Sequence, residues 1–123
     1  MILTPSVWGP HYWFTLHTIA LCYPKYPNDV TKKKYYDFIH NFPLFIPVED
    51  IGNTFSKMLD KYPVTPYLDS RESFMKWVHF IHNKINVQQN QLTEQQRQIE
   101  ELKLLVNQLA KQVEKNEATY GLK

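Results

Sequence analysis

Eight prolines, all within residues 1–86, divide this chain into helical lengths before any other feature is considered. Proline has no amide hydrogen and clashes with the preceding turn. It is therefore tolerated at the start of a helix and ends one elsewhere. Between these breaks, apolar residues recur at three- and four-residue intervals, and no stretch alternates with a period of two.

The pattern predicts four helices. Residues 8–23 put Trp13, Leu16 and Ala20 on one face, with Tyr12, Ile19 and Tyr23 beside it. Pro10 fits the first turn, and Pro24 and Pro27 end the helix. Asn28 or Asp29 caps a second helix over 30–42, with Tyr35, Phe38, Ile39 and Phe42 inward. Pro47 opens a third over 48–62, where Glu49 and Asp50 suit the positive helix end and Phe55, Met58 and Leu59 form the apolar stripe. Pro63 and Pro66 break it. Asp69 to Ser73 supplies a cap and first turn for a fourth helix from about residue 71, with Phe74, Trp77, Val78 and Ile81 inward. The expected architecture is all-α, a four-helix bundle.

Composition changes sharply near Asn86. Seventeen of the 18 aromatic residues lie before it, and eight glutamines lie after it. Residues 1–86 are read as the bundle and residues 87–123 as a helical tail. No breaker stands at the junction, and a heptad pattern begins there. Ile85, Leu92, Ile99, Val106 and Val113 take position a; Gln88, Gln95, Leu102, Leu109 and Asn116 take position d. β-Branched residues at a with leucine at d favour a parallel two-stranded coiled coil, and Leu105 at g widens the seam towards a trimer. The expectation is a homo-oligomer formed through residues 85–116. The alternative is a lone amphipathic helix folded back on the bundle.

Net charge is +2, so neither nucleic acid nor an anionic membrane is expected as a partner. Lys32, Lys33 and Lys34 read as a solvated helix face. No apolar run is long enough to span a membrane. Met1 to Val7 lacks the charged and apolar segments of a signal peptide. The lone cysteine, Cys22, excludes a disulfide framework within the chain. His79 and His82 are three apart but have no third ligand of clear spacing, so no metal site is expected.

Two ordered motifs remain. Trp8, Gly9, Trp13, Leu16, His17, Ala20, Tyr23 and Pro24 fit the pattern W-G-x-x-x-W-x-x-L-H-x-x-A-x-x-Y-P. Trp77, His82, Asn83, Ile85 and Asn86 fit W-x-x-x-x-H-N-x-V-N, with isoleucine at the valine position. Together they resemble the flavin-linked sulfhydryl oxidases of the Erv/ALR family, and the compact size is most similar to members from large DNA viruses. The resemblance implies an Erv/ALR-type bundle that holds FAD. It implies cofactor contacts from Trp8, Gly9, Trp13, His17 and Tyr23 on the first helix. On the fourth it implies contacts from His82, Asn83 and Asn86, with Trp77 and His79 nearby and Lys84 as a substitute cation for phosphate. Viral membership implies the virion or the infected-cell cytoplasm. Read without the resemblance, the same Trp and His side chains are ordinary core filling.

The family's chemistry runs through a Cys-x-x-Cys pair. Here Val48 and Ile51 stand in the two sulfur positions, with Glu49 and Asp50 between them. A thiolate exchanges with disulfides and a hydrocarbon cannot. No catalytic residue is expected. The reading that follows is a catalytically silent oxidase-like module serving structure or assembly, with a protein partner in view. The alternatives are a retained FAD-binding flavoprotein, or an FAD-linked thiol oxidase in which Cys22 and a partner's cysteine complete the electron path to oxygen.

Overall fold

The computed structural model describes residues 4–121, and the fold is all-α, as expected. Among the described residues there are four helices: α1 (Pro5–Leu21), α2 (Asp29–Asn41), α3 (Glu49–Lys61) and α4 (Arg71–Tyr120). Two short 3₁₀ turns, Phe42–Phe45 and Thr65–Tyr67, join α2 to α3 and α3 to α4. The chain divides into two compact units, Met1–Asn86 and Val87–Lys123. The leader expectation for Met1 to Val7 covers residues 1–3, which lie outside the described residues. Among the described residues no helix is long and apolar enough to cross a membrane.

Local chemistry accounts for the helix ends. The Asn28 side chain accepts a hydrogen bond from the Thr31 amide at 2.8 Å, the expected cap of α2. Ser70 does the same for α4, with its Oγ accepting from the Ser73 amide at 3.1 Å. Lys32 joins the two caps across space through an ion pair with Asp69 at 3.0 Å. α1 starts earlier than the pattern indicates. Pro5 occupies its first position and Pro10 lies inside the helix. The missing amide of Pro10 costs one ladder bond, which the other bonds of α1 absorb.

The core of the first unit is one apolar cluster. Leu16, Ala20 and Tyr23 meet Ile39, Phe42, Phe55, Leu59, Val64 and Leu68, together with Phe74, Trp77, Val78, Ile81 and Ile85 of α4. Fully burying a side chain of this size is worth about 1.5–3 kcal/mol, so this cluster decides how the helices pack. Tyr23 sits at its centre with no exposed surface, edge-on to Tyr35 and Phe74. Its hydroxyl donates to the Leu68 carbonyl at 2.6 Å. Arg71 Nε donates to the Tyr23 carbonyl at 2.5 Å, tying the end of α1 to the start of α4. Phe38, read as inward, is 37% exposed and only flanks Phe42. Phe38 instead lines a shallow recess with Tyr12, Ile19, Phe42 and Phe45.

In the second unit, α4 leaves its apolar stripe in water. Ile99, Leu102, Leu105, Val106, Leu109 and Val113 are all exposed. Its charged residues pair along the helix. Arg97 contacts Glu94 at 2.5 Å and also Glu101, and Lys103 lies 3.7 Å from Glu100.

Candidate functional site

Trp13 and His17, one turn apart on α1, face His79 and His82, almost one turn apart on α4. The Trp13 indole stacks on the His82 ring with centroids 4.1 Å apart and planes 15° from parallel. His17 lies 4.4 Å from His79, ring centre to ring centre, and its Nε2 sits 3.0 Å from Nδ1 of His82. One of those two nitrogens must donate and the other accept, so the short contact needs at least one neutral ring. Burial holds the pKa of both rings below the usual histidine value. His79 lowers that of His17 further, and His17 and His79 lower that of His82. Both effects favour the neutral form of the two rings.

The other expected contacts fall around this cluster unevenly. Trp8 packs edge-on to Tyr12 at 5.1 Å, and Gly9 has open space where a side chain would stand. Asn83 and Asn86 are exposed on α4. Tyr23 belongs to the core instead. Trp77 is buried too, with its indole N–H donating to the Tyr62 carbonyl at 3.1 Å. Lys84 reaches away to the Tyr62 and Phe80 rings. On α4, residues 77, 80 and 84 share one stripe and residues 79, 82 and 86 another, which is why these residues separate.

The third wall comes from α3. Phe55 stacks on Trp13 with centroids 6.0 Å apart and also touches Phe42. Ile51 is one turn before Phe55 on the same face, and Val48 immediately precedes the helix. Both are half-buried. Val48 accepts the first amide bonds of α3, from Ile51 at 3.1 Å and Gly52 at 3.0 Å. At the two sulfur positions of the resemblance there is therefore half-buried hydrocarbon. Cys22, the only cysteine, is exposed at the end of α1. Among the described residues, no group of three or more His, Cys, Asp or Glu side chains could hold a metal.

Sequence reasoning missed Gly52. A Cβ there would lie 2.8 Å from the Pro43 carbonyl oxygen, so only glycine lets α3 sit this close to the preceding 3₁₀ turn. A lone glycine inside an otherwise helical pattern was the available signal.

Comparison with known proteins agrees with this geometry. The model of the Erv1 / Alr family matches residues 10–104. A probable FAD-linked sulfhydryl oxidase of Acanthamoeba polyphaga mimivirus is 35% identical over 85 residues, covering 68% of this chain and 59% of its own length. The mitochondrial FAD-linked sulfhydryl oxidase of Schizosaccharomyces pombe is 32% identical over 78 residues, 63% of this chain and 43% of its own length. An FAD-linked sulfhydryl oxidase of African swine fever virus is 31% identical, covering 68% of each chain. The chain thus spans little more than half of the mimivirus relative and less than half of the fission-yeast one. The crystal structure of the yeast Erv1 core superposes with a TM-score of 0.66 at 28% identity, covering 71% of this chain and 72% of that one. A cysteine-to-serine mutant of Erv1 from Saccharomyces cerevisiae gives 0.62 at 29% identity, covering 67% and 68%. The helical fold, the two ordered motifs and the matching family model make this chain a member of the Erv1/Alr family.

Proposed function

We propose that this protein is a catalytically silent member of its family that serves as a structural or assembly module. The observation that carries the reading is the pair Val48 and Ile51 at the start of α3, in a chain whose only thiol is Cys22. Oxidising a dithiol substrate requires a protein disulfide to accept its electrons by exchange. One cysteine cannot form that disulfide within the chain. The exposed heptad stripe of α4 supports self-association through residues 85–116, because an apolar row of this length in water favours pairing. The test is oxygen consumption by the purified chain with dithiothreitol and added FAD. A rate no higher than that of FAD alone is expected; a rate rising in proportion to protein would sink the reading.

A second reading adds to the first: the chain retains FAD as a ligand. The relatives are named FAD-linked, and the convergence of Trp13, His17, His79 and His82 favours it. The donor set suits the planar part of such a group. Indole and imidazole rings offer flat faces, and Asn83 and Asn86 offer amide donors and acceptors. Trp8, Gly9, Trp13, His17, His79, His82, Asn83 and Asn86 are the residues that would hold it. When bound, FAD supplies two-electron redox chemistry. Here Val48 and Ile51 offer no thiol for that chemistry. A yellow preparation, or one that becomes yellow on adding FAD, supports retention. A chain that stays colourless after FAD addition and gel filtration excludes it.

A further inference from the structure

On the far stripe of α4 the structure carries a second recess, unrelated to the histidine cluster. It has a volume of about 510 Å³ and is lined by the Tyr62, Tyr67, Trp77 and Phe80 rings, Pro63 and Pro66, and Lys61 and Lys76. The volume lies within the range of about 300–1,000 Å³ usual for small-ligand sites.

The walls are built rather than incidental. The Trp77 indole is fixed by its bond to the Tyr62 carbonyl at 3.1 Å. The Tyr67 backbone is held on both sides, its amide donating to the Val64 carbonyl at 2.8 Å and its carbonyl accepting from Ser73 Oγ at 2.7 Å. Pro63 and Pro66 remove backbone freedom between these anchors. Little ordering is left for a ligand to impose. The Tyr62 and Phe80 rings meet edge-on, with centroids 4.9 Å apart and planes 85° from parallel, and form a corner of the recess wall.

The edge carries uncompensated positive charge. Lys61 Nζ stands 5.4 Å from the Tyr62 ring centre. Lys84 Nζ stands 5.8 Å from the same ring and 5.4 Å from that of Phe80. Among the described residues neither ammonium has a carboxylate within ion-pair distance, whereas Lys76 pairs with Glu72 at 3.1 Å. Lys61 lines the recess and Lys84 stands beside it on the Tyr62 and Phe80 rings, so positive charge at this edge favours an anion over a neutral group.

From the aromatic walls and the two lysines without an ion-pair partner we infer that this recess binds a small planar aromatic molecule bearing one negative group, a carboxylate or a phosphate. The ring would lie against Tyr62, Tyr67 and Phe80, with the buried Trp77 indole behind them, and the anion would face Lys61 and Lys84. The inference does not depend on FAD retention, because none of the recess residues belongs to the Trp13–His82 cluster.

The test uses the full chain with 2-naphthoate and 1-naphthyl phosphate as anionic probes and 2-naphthamide as the neutral match. Titration calorimetry gives the affinity, and the shift of the Trp77 indole N–H signal in NMR gives the place. Saturable binding is expected for at least one anion, about fivefold or more tighter than for the amide. The stronger of the two anions identifies the head group. Replacing both lysines, Lys61→Gln with Lys84→Gln, should remove that preference and leave amide binding unchanged. Both lysines are exposed, so the variant should fold, and an unchanged melting curve verifies this. Phe80→Ala should weaken all three probes. The inference is overturned by no saturable binding of either anion, by equal affinity for anion and amide, by an unchanged anion affinity in the lysine variant, or by shifts at the Trp8 and Trp13 indoles with none at Trp77.

Discussion

His17 Nε2 and His82 Nδ1, 65 residues apart in sequence, lie 3.0 Å from each other and fasten α1 to α4. Both rings titrate below the ordinary value of about 6.5, first because burial disfavours the charged form and then because neighbouring imidazoles do. In the unfolded chain they protonate near 6.5; in the folded chain they resist. Below that pH the unfolded state therefore binds more protons, and stability falls as pH drops through about 6.5 towards the folded-state values. The melting temperature should be flat from pH 8 to 7 and decline from 6.5 to 5. His82→Gln should flatten that decline. A variant whose slope matches the parent's would show that the pair does not set it.

Tyr23 packs with no exposed surface, and burial, followed by the fields of Tyr35 and Asp69, raises its pKa, so it remains a donor to the Leu68 carbonyl. Tyr23→Phe keeps the ring contacts and strands that carbonyl. A loss of about 1–3 kcal/mol in urea unfolding is expected. A change within error would mean that solvent or a local shift reaches Leu68.

Glycine to alanine inside a helix ordinarily stabilises by about 0.5–1 kcal/mol. At Gly52 the sign should reverse, because the new methyl meets the Pro43 carbonyl at 2.8 Å. Overpacking of this kind costs about 1–3 kcal/mol. A Gly52→Ala variant that melts at or above the parent temperature would contradict the close approach.

If hydrocarbon at the sulfur positions is what silences the chain, thiols there should restore activity. The double variant Val48→Cys with Ile51→Cys, supplied with FAD, is expected to consume oxygen with dithiothreitol at a rate proportional to protein. Each turnover would oxidise one dithiol to a disulfide and reduce one oxygen to hydrogen peroxide. A variant that binds FAD and remains inactive would place the defect elsewhere than at these two residues.

The apolar row of α4 supplies a test of assembly. Leu102→Asp with Leu109→Asp puts charge at two successive d positions. Light scattering should show the oligomer mass of the parent reduced to that of a single chain. Identical masses would count against pairing through the heptads.

Much of this was legible in the chain, and the misses have physical causes. Asn28 and Ser70 mark the helix starts because a side-chain cap is a local event, visible within four residues. The 3₁₀ turn Phe42–Phe45 was hidden, because Pro43 signals a break without saying what replaces the helix. The motifs named Trp13, His17 and His82, but not that His82 would stack on one and contact the other, since no local period encodes a meeting across 65 residues. Trp77 and Lys84 match or adjoin the same motif, yet each stands two residues, about 200° of helix rotation, from His79 or His82, which sets them on the opposite stripe of α4. Gly52 was readable only as a poor helix former, because the carbonyl that requires it belongs to another element.

α4 runs from Arg71 to Tyr120 without an interruption at Asn86. Starting a helix is the unfavourable step; each further turn only extends what exists. The buried residues from Phe74 to Ile85 have already met that initiation cost, so the glutamine-rich turns inherit their helicity. Amide protection should then decay gradually towards Tyr120 instead of vanishing at a boundary.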